Sequence, residues 1–228
     1  MRLAVINLEQ SIIITADGSH SLINRELNET YHSTHGAVQE SMHVFIENGL
    51  RQCAKQQIDM LEVGFGTGLN AFLTLLEAEK RGIFIHYTTI ELFPIEKPLW
   101  SLLNFADNYT NEQKDQFYHL HSCEWGSDTL ITNHLTIRKI QADFINFQSE
   151  KTFDLIFFDA FSPEKQPTLW SQERFSTLAA HCKPGAILTT YCSKGTVKQA
   201  LRGAGFTVER LRGAPGKRHM LRAIINTG

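Results

Sequence analysis

From Asp59 onward the chain alternates short apolar runs with stretches whose apolar residues recur at helical spacing. "DMLEV" (59–63) predicts a strand. Glycines follow, and Leu69, Phe72, Leu73 and Leu76 then predict a helix as far as Gly82. "FIHYTTIE" (84–91) is β-branched and aromatic, hence a second strand. Pro94 opens the next predicted helix, through "IEKPLWSLLNFAD", with Pro98 confining its first turn. "LTIRKI" and "FDLIFFD" predict the third and fourth strands. Phe175, Leu178, Ala179 and Cys182 predict a helix stopped by Pro184 and Gly185, and "AILTTY" a fifth strand. Val197, Ala200, Leu201 and Ala204 predict a helix ended by Gly205, ahead of "FTVERLR" and "RHMLRAII".

Such alternation specifies an α/β fold, a doubly wound and mostly parallel sheet. The two consecutive strands at the end imply an antiparallel strand at the edge. Before Asp59 the pattern changes. "SIIIT" and "HSLIN" flank the turn "ADGS" as a β-hairpin, and "GAVQESMHVFIENGL" predicts a helix. Residues 1–58 are therefore expected to form an N-terminal extension packed on a core of residues 59–228.

Composition narrows the class. Hydrophobic residues make up 42% of the 228, enough for an ordinary globular core. The start, "MRLAVINLEQ", lacks the apolar stretch of a signal peptide, and no run has the length of a membrane span. Cys53, Cys123, Cys182 and Cys192 show neither C-x-x-C nor zinc spacing, so reduced thiols and a cytoplasmic location are expected. The net charge of −2 argues against a generic nucleic-acid binder, but from Lys194 onward eight basic residues face one acid, Glu209. Such a tail reads either as a footprint for a polyanion or as a solvated face.

"LEVGFGTGLN" (61–70) follows the first strand of the α/β unit and opens its helix, where ligands bind in such sheets. It supplies Glu62, Gly64, Phe65, Gly66, Gly68 and Asn70. The glycines allow close backbone approach, but Leu69 stands where G-x-G-x-x-G requires its last glycine. That favours a nucleoside over a diphosphate, and Glu62 suits an ammonium group. Glu91, with Leu92 beside it, ends the second strand, where a carboxylate accepts from both ribose hydroxyls. Asp143 and Phe144 follow the third strand and suit an adenine amino group and ring. S-adenosylmethionine fits these positions, and NAD fits them less well. His32 with His35, and His119 with His121, lack a third ligand at sensible spacing, so no metal is expected.

"LEVGFGTGLNAF", "IELFPIEK", "FFDAFSPEKQPTLW", "TYCSKGTVKQALRGAGF" and "GAPGKRHMLRAI" resemble, in order, the methyltransferase domain of the MnmC family. "DGSHSLINRELNETYHSTHGAVQESMHVFIENGL" resembles its N-terminal extension. The resemblance implies a Rossmann-like class I fold and S-adenosylmethionine-dependent methylation of the aminomethyl group on a wobble uridine in tRNA. It also implies an amine supplied by an FAD-dependent oxidase, by other wobble-uridine modification enzymes or by an ammonium-based route. With nothing after Gly228 to form that oxidase, a stand-alone form is expected. His219 and "CSKGTVKQ" depart from the family pattern, and both departures bear on RNA contact more than on methyl transfer.

On this reading Asp159 is the catalytic carboxylate. It orients the amine and takes up its proton. Phe161 and Pro163 form a wall for a flipped-out uridine, Lys165 meets phosphate or a base oxygen, and Trp170 anchors the loop by packing. Lys217 and Arg218 read as tRNA phosphate contacts. Tyr31, His32, Ser33 and Glu40 are implied as lid or substrate residues. Two rivals remain. One is an aminopropyltransferase of the spermidine-synthase type, whose G-G-G-D-G loop differs from this one. The other is a non-catalytic module that binds tRNA or cofactor.

Overall fold

The computed structural model describes residues 10–225, so the opening residues on which the signal-peptide expectation rests lie outside it. Eleven strands are described. β1 (Gln10–Ile14), β2 (His20–Asn24) and β3 (Glu29–Thr30) form a small antiparallel sheet. The main sheet holds β4 (Gln57–Val63), β5 (Phe84–Glu91), β6 (Asp128–Thr132), β7 (Leu135–Gln141), β8 (Phe153–Phe158), β9 (Cys182–Thr190), β10 (Phe206–Arg212) and β11 (His219–Ile225). Its order is β10-β11-β9-β8-β4-β5-β7-β6. β8 is buried along its whole length, as a parallel strand covered on both faces must be.

The helices are α1 (Ala37–Ser41), α2 (Leu69–Arg81), α3 (Lys97–Trp100), α4 (Asn111–Ser122), α5 (Gln172–Ala180) and α6 (Gly195–Gly203). α2 ends at Gly82, whose φ of 64° lets its N–H reach back to Ala78 and Glu79, while Lys80 and Arg81 offset the helix dipole. One apolar cluster unites α2 and α4 with residues ahead of β4, including Leu22, Val44 and Phe45. A second gathers α5, α6 and Phe144 on β8, β9 and β11.

Four details differ from expectation. β11 is antiparallel but lies one place in from the edge, between β9 and β10, and the antiparallel edge strand is β6 on the opposite side. The helix expected from Pro94 shrinks to the single turn α3, because Pro98 sits in its first turn and Leu102 is left exposed. Ahead of β4, α1 continues as a π-helix over Met42–Glu47, which sets Phe45 against Phe157 at 5.0 Å. Finally, α5 ends at Ala180, and Pro184 and Gly185 lie within β9, where its register against β8 shifts between Phe153 and Leu155.

Candidate active site

Register determines what meets at the carboxyl end of the sheet. Val63 pairs with Phe158 on one side and Ile90 on the other, so the chain leaves three adjacent strands at one level. Gly64, Asp159 and Glu91 emerge together there. Gly64 N–H donates to the Ile90 carbonyl at 2.9 Å, and Asp159 N–H donates to the Val63 carbonyl at 3.0 Å. Gly64 has φ 94°, and a Cβ on it would lie 2.6 Å from the Asp159 carbonyl oxygen. A Cβ on Gly66, at φ 48°, would lie 3.2 Å from the Tyr31 ring. The first two glycines are thus demanded by neighbours within the protein. Gly68, also expected as a cofactor residue, stands at the start of α2 facing His121, outside the cavity lining.

Above these strand ends lies a cavity of about 510 Å³, bordered by the segment ahead of β4, the glycine loop, the ends of β5 and β7, the loop after β8 and the β10–β11 turn. Its charges are one-sided: among the described residues Glu26, Glu29, Glu40, Glu91, Asp143 and Asp159 line it, against Lys217 alone as a lysine or arginine. A phosphate would meet net repulsion there, whereas an ammonium or sulfonium would be attracted.

Asp159 is partly buried at the cavity wall. Its Oδ2 accepts from Asn70 Nδ2 at 2.8 Å, so Asn70, expected as a cofactor residue, holds the carboxylate, and its own Oδ1 is buried without a partner. Burial, and then the charge of Glu40, push the Asp159 carboxyl up to about 7, against the pull of Asn70 and Lys217. Glu62 sits fully buried behind the wall rather than in the lining, accepting from Thr89 Oγ1 at 2.8 Å. Burial raises it to about 8, with Asp159 adding to the effect and the Thr89 hydrogen bond opposing it. Burial opposes the ionisation of both carboxyls, and a cation placed beside them would favour it.

Glu91 lines the cavity as expected. Its Oε2 accepts from Gly66 N–H at 3.1 Å and its Oε1 from Phe93 N–H at 2.9 Å, and each oxygen keeps a further lone pair for a ligand. Burial raises its proton affinity against these backbone donors. Asp143 accepts from Ile145 N–H at 2.9 Å, capping a short turn, and also lines the cavity, so it serves the local structure and faces the ligand space together. Phe144 is buried beside it, and Leu92 stands exposed at the rim. The ring of Phe65 packs edge-on against His121 and Trp125, at 5.3 and 6.0 Å.

The segment ahead of β4 reaches over the site. Tyr31 meets Phe161 edge-on at 5.0 Å, and burial followed by Glu91 raises its hydroxyl well above the ordinary value. His32 is buried, its Nε2 2.6 Å from Thr67 Oγ1, and burial pushes it down to about 4. Glu29, unnoticed in the sequence, grips the loop after β8 by accepting from Ser162 N–H and Oγ at 3.2 and 3.0 Å. The hairpin turn orients Glu40. Asp17 accepts from Gln39 N–H at 3.1 Å and Ser19 Oγ from Ala37 N–H at 3.2 Å, which fixes the first turn of α1. Glu40 then accepts from Ser33 N–H at 2.8 Å and forms an ion pair with Lys217 at 2.6 Å.

Lys217, expected as a phosphate contact, has its ammonium paired with Glu40 and 4.0 Å over the Tyr191 ring, at the cavity wall. Arg218 and Lys165 are exposed, with no side-chain hydrogen bond or ion pair among the described residues, and outside the cavity lining. Pro163 also lies outside it, whereas Phe161 lines it. Trp170 is the anchor of the loop: its Nε1 donates to the Phe161 carbonyl at 2.8 Å, and its ring meets Phe158 at 4.8 Å. Tyr191 and Thr67 stand inside the quoted stretches but were not singled out, since their contacts, Tyr191 Oη to the Ala160 carbonyl and Thr67 Oγ1 with His32, join segments distant in sequence. Arg25, also passed over, is exposed between Asn24 and Glu26 of the rim. No group of three His, Cys, Asp or Glu among the described residues could hold a metal ion, and no helix is long and apolar enough to cross a membrane.

Among known proteins, the bifunctional protein MnmC of tRNA 5-methylaminomethyl-2-thiouridine biosynthesis from Delftia acidovorans is 31% identical over 213 residues, covering 87% of this chain and 32% of its own. The chain spans about a third of the length of the curated relatives it matches. The crystal structure of MNMC2 from Aquifex aeolicus shares the fold with a TM-score of 0.78 at 24% identity, covering 96% of this chain and 71% of that one. Spermidine synthase from Thermotoga maritima shares it more loosely, with a TM-score of 0.54 at 11% identity over 96% of this chain and 69% of that one. A profile of S-adenosyl-L-methionine-dependent methyltransferases matches residues 110–226. That match takes in the strands bearing Asp143 and Asp159 and the β10–β11 turn, and by it the chain belongs to the S-adenosyl-L-methionine-dependent methyltransferase family.

Proposed function

We propose that the protein transfers a methyl group from S-adenosyl-L-methionine to the aminomethyl group of a wobble uridine in tRNA, giving 5-methylaminomethyl-(2-thio)uridine in the cytoplasm. The observation that carries this reading is Asp159, a carboxyl raised to about 7 at the wall of a cavity lined by acids. A cationic amine is the ligand such a site favours. The relatives' part in 5-methylaminomethyl-2-thiouridine biosynthesis supplies the identity of that amine.

The cofactor is a cation with a ribose and an adenine, and the residues present fit it. Glu91 offers lone pairs to the ribose, and Asp143 with Phe144 suits the adenine. The unpartnered Asn70 Oδ1 and the acid Glu62 behind it suit the ammonium end. Gly64 and Gly66 keep the loop close to its neighbours, with Phe65 as the peg that fixes it. Bound S-adenosyl-L-methionine supplies an electrophilic methyl group.

The rest is the work of the chain. Asp159, held by Asn70, accepts hydrogen bonds from the substrate amine, aims its lone pair and takes up the proton that the ammonium must lose. Tyr31 and Phe161 offer aromatic surface to the base, with Pro163 stiffening the loop from behind. His32 and Ser33 hold the segment over the site. Lys165 and Arg218, with no side-chain hydrogen bond or ion pair among the described residues, are suited to backbone phosphates. A separate oxidase or another wobble-uridine enzyme supplies the amine.

Aminopropyl transfer is the second reading, since an acidic cavity on this fold also suits a polyamine. The experiment is to incubate the protein with S-adenosyl-L-methionine and tRNA from a strain lacking the modification, then examine digested nucleosides by mass spectrometry. Loss of the aminomethyl nucleoside with gain of its methylated form is expected. Unchanged tRNA, with precursor present and cofactor binding demonstrated, would contradict the proposal and redirect the search to polyamines.

A further inference from the structure

Among the described residues, Lys217 is the one lysine or arginine lining an otherwise acidic cavity. The fold holds it there deliberately. Its ammonium is 2.6 Å from Glu40 Oε1 and stands 4.0 Å over the Tyr191 ring. The turn that carries it is pressed against the segment ahead of β4, where a Cβ on Gly216 would lie 2.3 Å from the His35 ring. His43 Nε2 lies 2.8 Å from the Arg212 carbonyl at the base of the same hairpin. Glu40 is itself buried and fixed by Ser33 N–H. A lysine needed only for solubility would not be bound from both sides.

We propose that Lys217 tunes the substrate rather than the RNA backbone: its fixed positive charge, set against Glu40 beside Asp159, lowers the proton affinity of the amine bound there. The inference rests on the proposed reading of the substrate as an alkyl amine. Such an amine enters as a cation and reacts only as the neutral form. An all-acid cavity would bind the cation well but hold its proton too firmly. A lysine in the same cavity opposes that, because a neighbouring cation in a poorly hydrated site disfavours a second one. Glu40 moderates the effect, so the pair sets a balance between capturing the ammonium and releasing its proton. Lys217 is thus a positioning residue acting through charge.

The titratable groups facing Lys217 come from every element around it. Glu40 stands on α1, and Asp159 follows β8. Tyr191 and Cys192 follow β9, and His32 and His35 come from the segment ahead of β4. Lys217 acts on His32, Asp159 and Cys192 in one sense, favouring the deprotonated form. Glu40 acts on His32, Asp159 and Tyr191 in the opposite sense. An ammonium docked at Asp159 enters the same field.

The test compares Lys217→Met, Lys217→Arg and Glu40→Gln through the pH dependence of kcat on aminomethyl-bearing tRNA, which reports groups in the bound complex. Lys217→Met should move the acidic limb to higher pH by about one unit, Glu40→Gln should move it to lower pH by about as much, and Lys217→Arg should leave it in place. A purely structural role would impair the variants without opposed shifts. Carbon-detected titration of the Asp159 carboxyl, without substrate, gives an activity-independent readout. Its proton affinity should rise in Lys217→Met and fall in Glu40→Gln. Limbs that stay put or move together, or an Asp159 that titrates alike in all variants, would overturn the inference. Wild-type protein that methylates no amine would instead sink the substrate reading on which it rests.

Discussion

Asp154 and Asp159 lie at opposite ends of β8, and the fold treats them in opposite ways. Asp154 is buried at the amino end, where Lys55 meets its Oδ1 at 2.5 Å and Lys183 meets its Oδ2 at 2.9 Å. Asp59 N–H adds a third donor at 2.9 Å. Burial would raise its proton affinity, but these donors outweigh it and hold the carboxyl below the ordinary range. Asp159 has one donor, Asn70, and an acid for a neighbour, and its carboxyl rises to about 7. A carboxylate whose hydrogen bonds are met inside the protein secures the strand. One left short of donors is available to a ligand, and the cost of keeping it so falls on stability.

That contrast is broken most strongly at its structural end. Asp154→Ala should destabilise the protein by about 3 kcal/mol in denaturant unfolding, because Lys183 and the Asp59 N–H lose a buried acceptor. Asp159→Asn should do the reverse. The folded carboxyl keeps its proton up to about pH 7, while the unfolded one releases it near 3.8, so the native state loses stability as pH rises through that window. With the shift discounted by about half for the partial exposure of Asp159, the variant should be more stable than wild type by about 2 kcal/mol at pH 8, with the gain vanishing toward pH 4, as thermal unfolding at the two pH values would show.

Asn70→Ala removes the single donor to Asp159 and should lower kcat about tenfold with a smaller change in cofactor affinity, measured by steady-state kinetics beside calorimetry. The smallest effect belongs to His32, held neutral by burial against Thr67. Unfolded, it takes up a proton near 6.5, and folded only near 4. Its contribution is therefore present above pH 6.5 and is lost on acidification, by about 1 kcal/mol at about pH 5.7 relative to pH 7. Replacing His32 with Asn should flatten that part of the stability profile.

Regular periodicity made the parallel core legible. The run from Leu69 to Gly82 carries both a helical apolar stripe and a left-handed stop, and "FIHYTTIE" has β-branched residues throughout. α4 escaped notice because its apolar residues are few and its start is marked by the Thr110–Gln113 capping box rather than by a stripe. β6 escaped because an edge strand with a polar face lacks a burial pattern. Within the site, residues at strand ends were legible because chain position alone brings them to the cavity. Glu29 and Tyr191 were not legible, and neither was the true partner of Lys217. Their contacts join segments far apart in the chain and depend on how the segment ahead of β4 lies over the sheet.

The central claim is that Asp159 serves the reacting amine and not the cofactor. It is tested most directly on Asp159→Asn, by measuring S-adenosyl-L-methionine affinity by calorimetry and methyl transfer to aminomethyl-bearing tRNA in a single turnover on the same preparation. The account predicts cofactor affinity within about twofold of wild type and a methyl-transfer rate lower by a factor on the order of 10² or more. Normal transfer in the variant, or transfer lost only in proportion to lost cofactor binding, would contradict it.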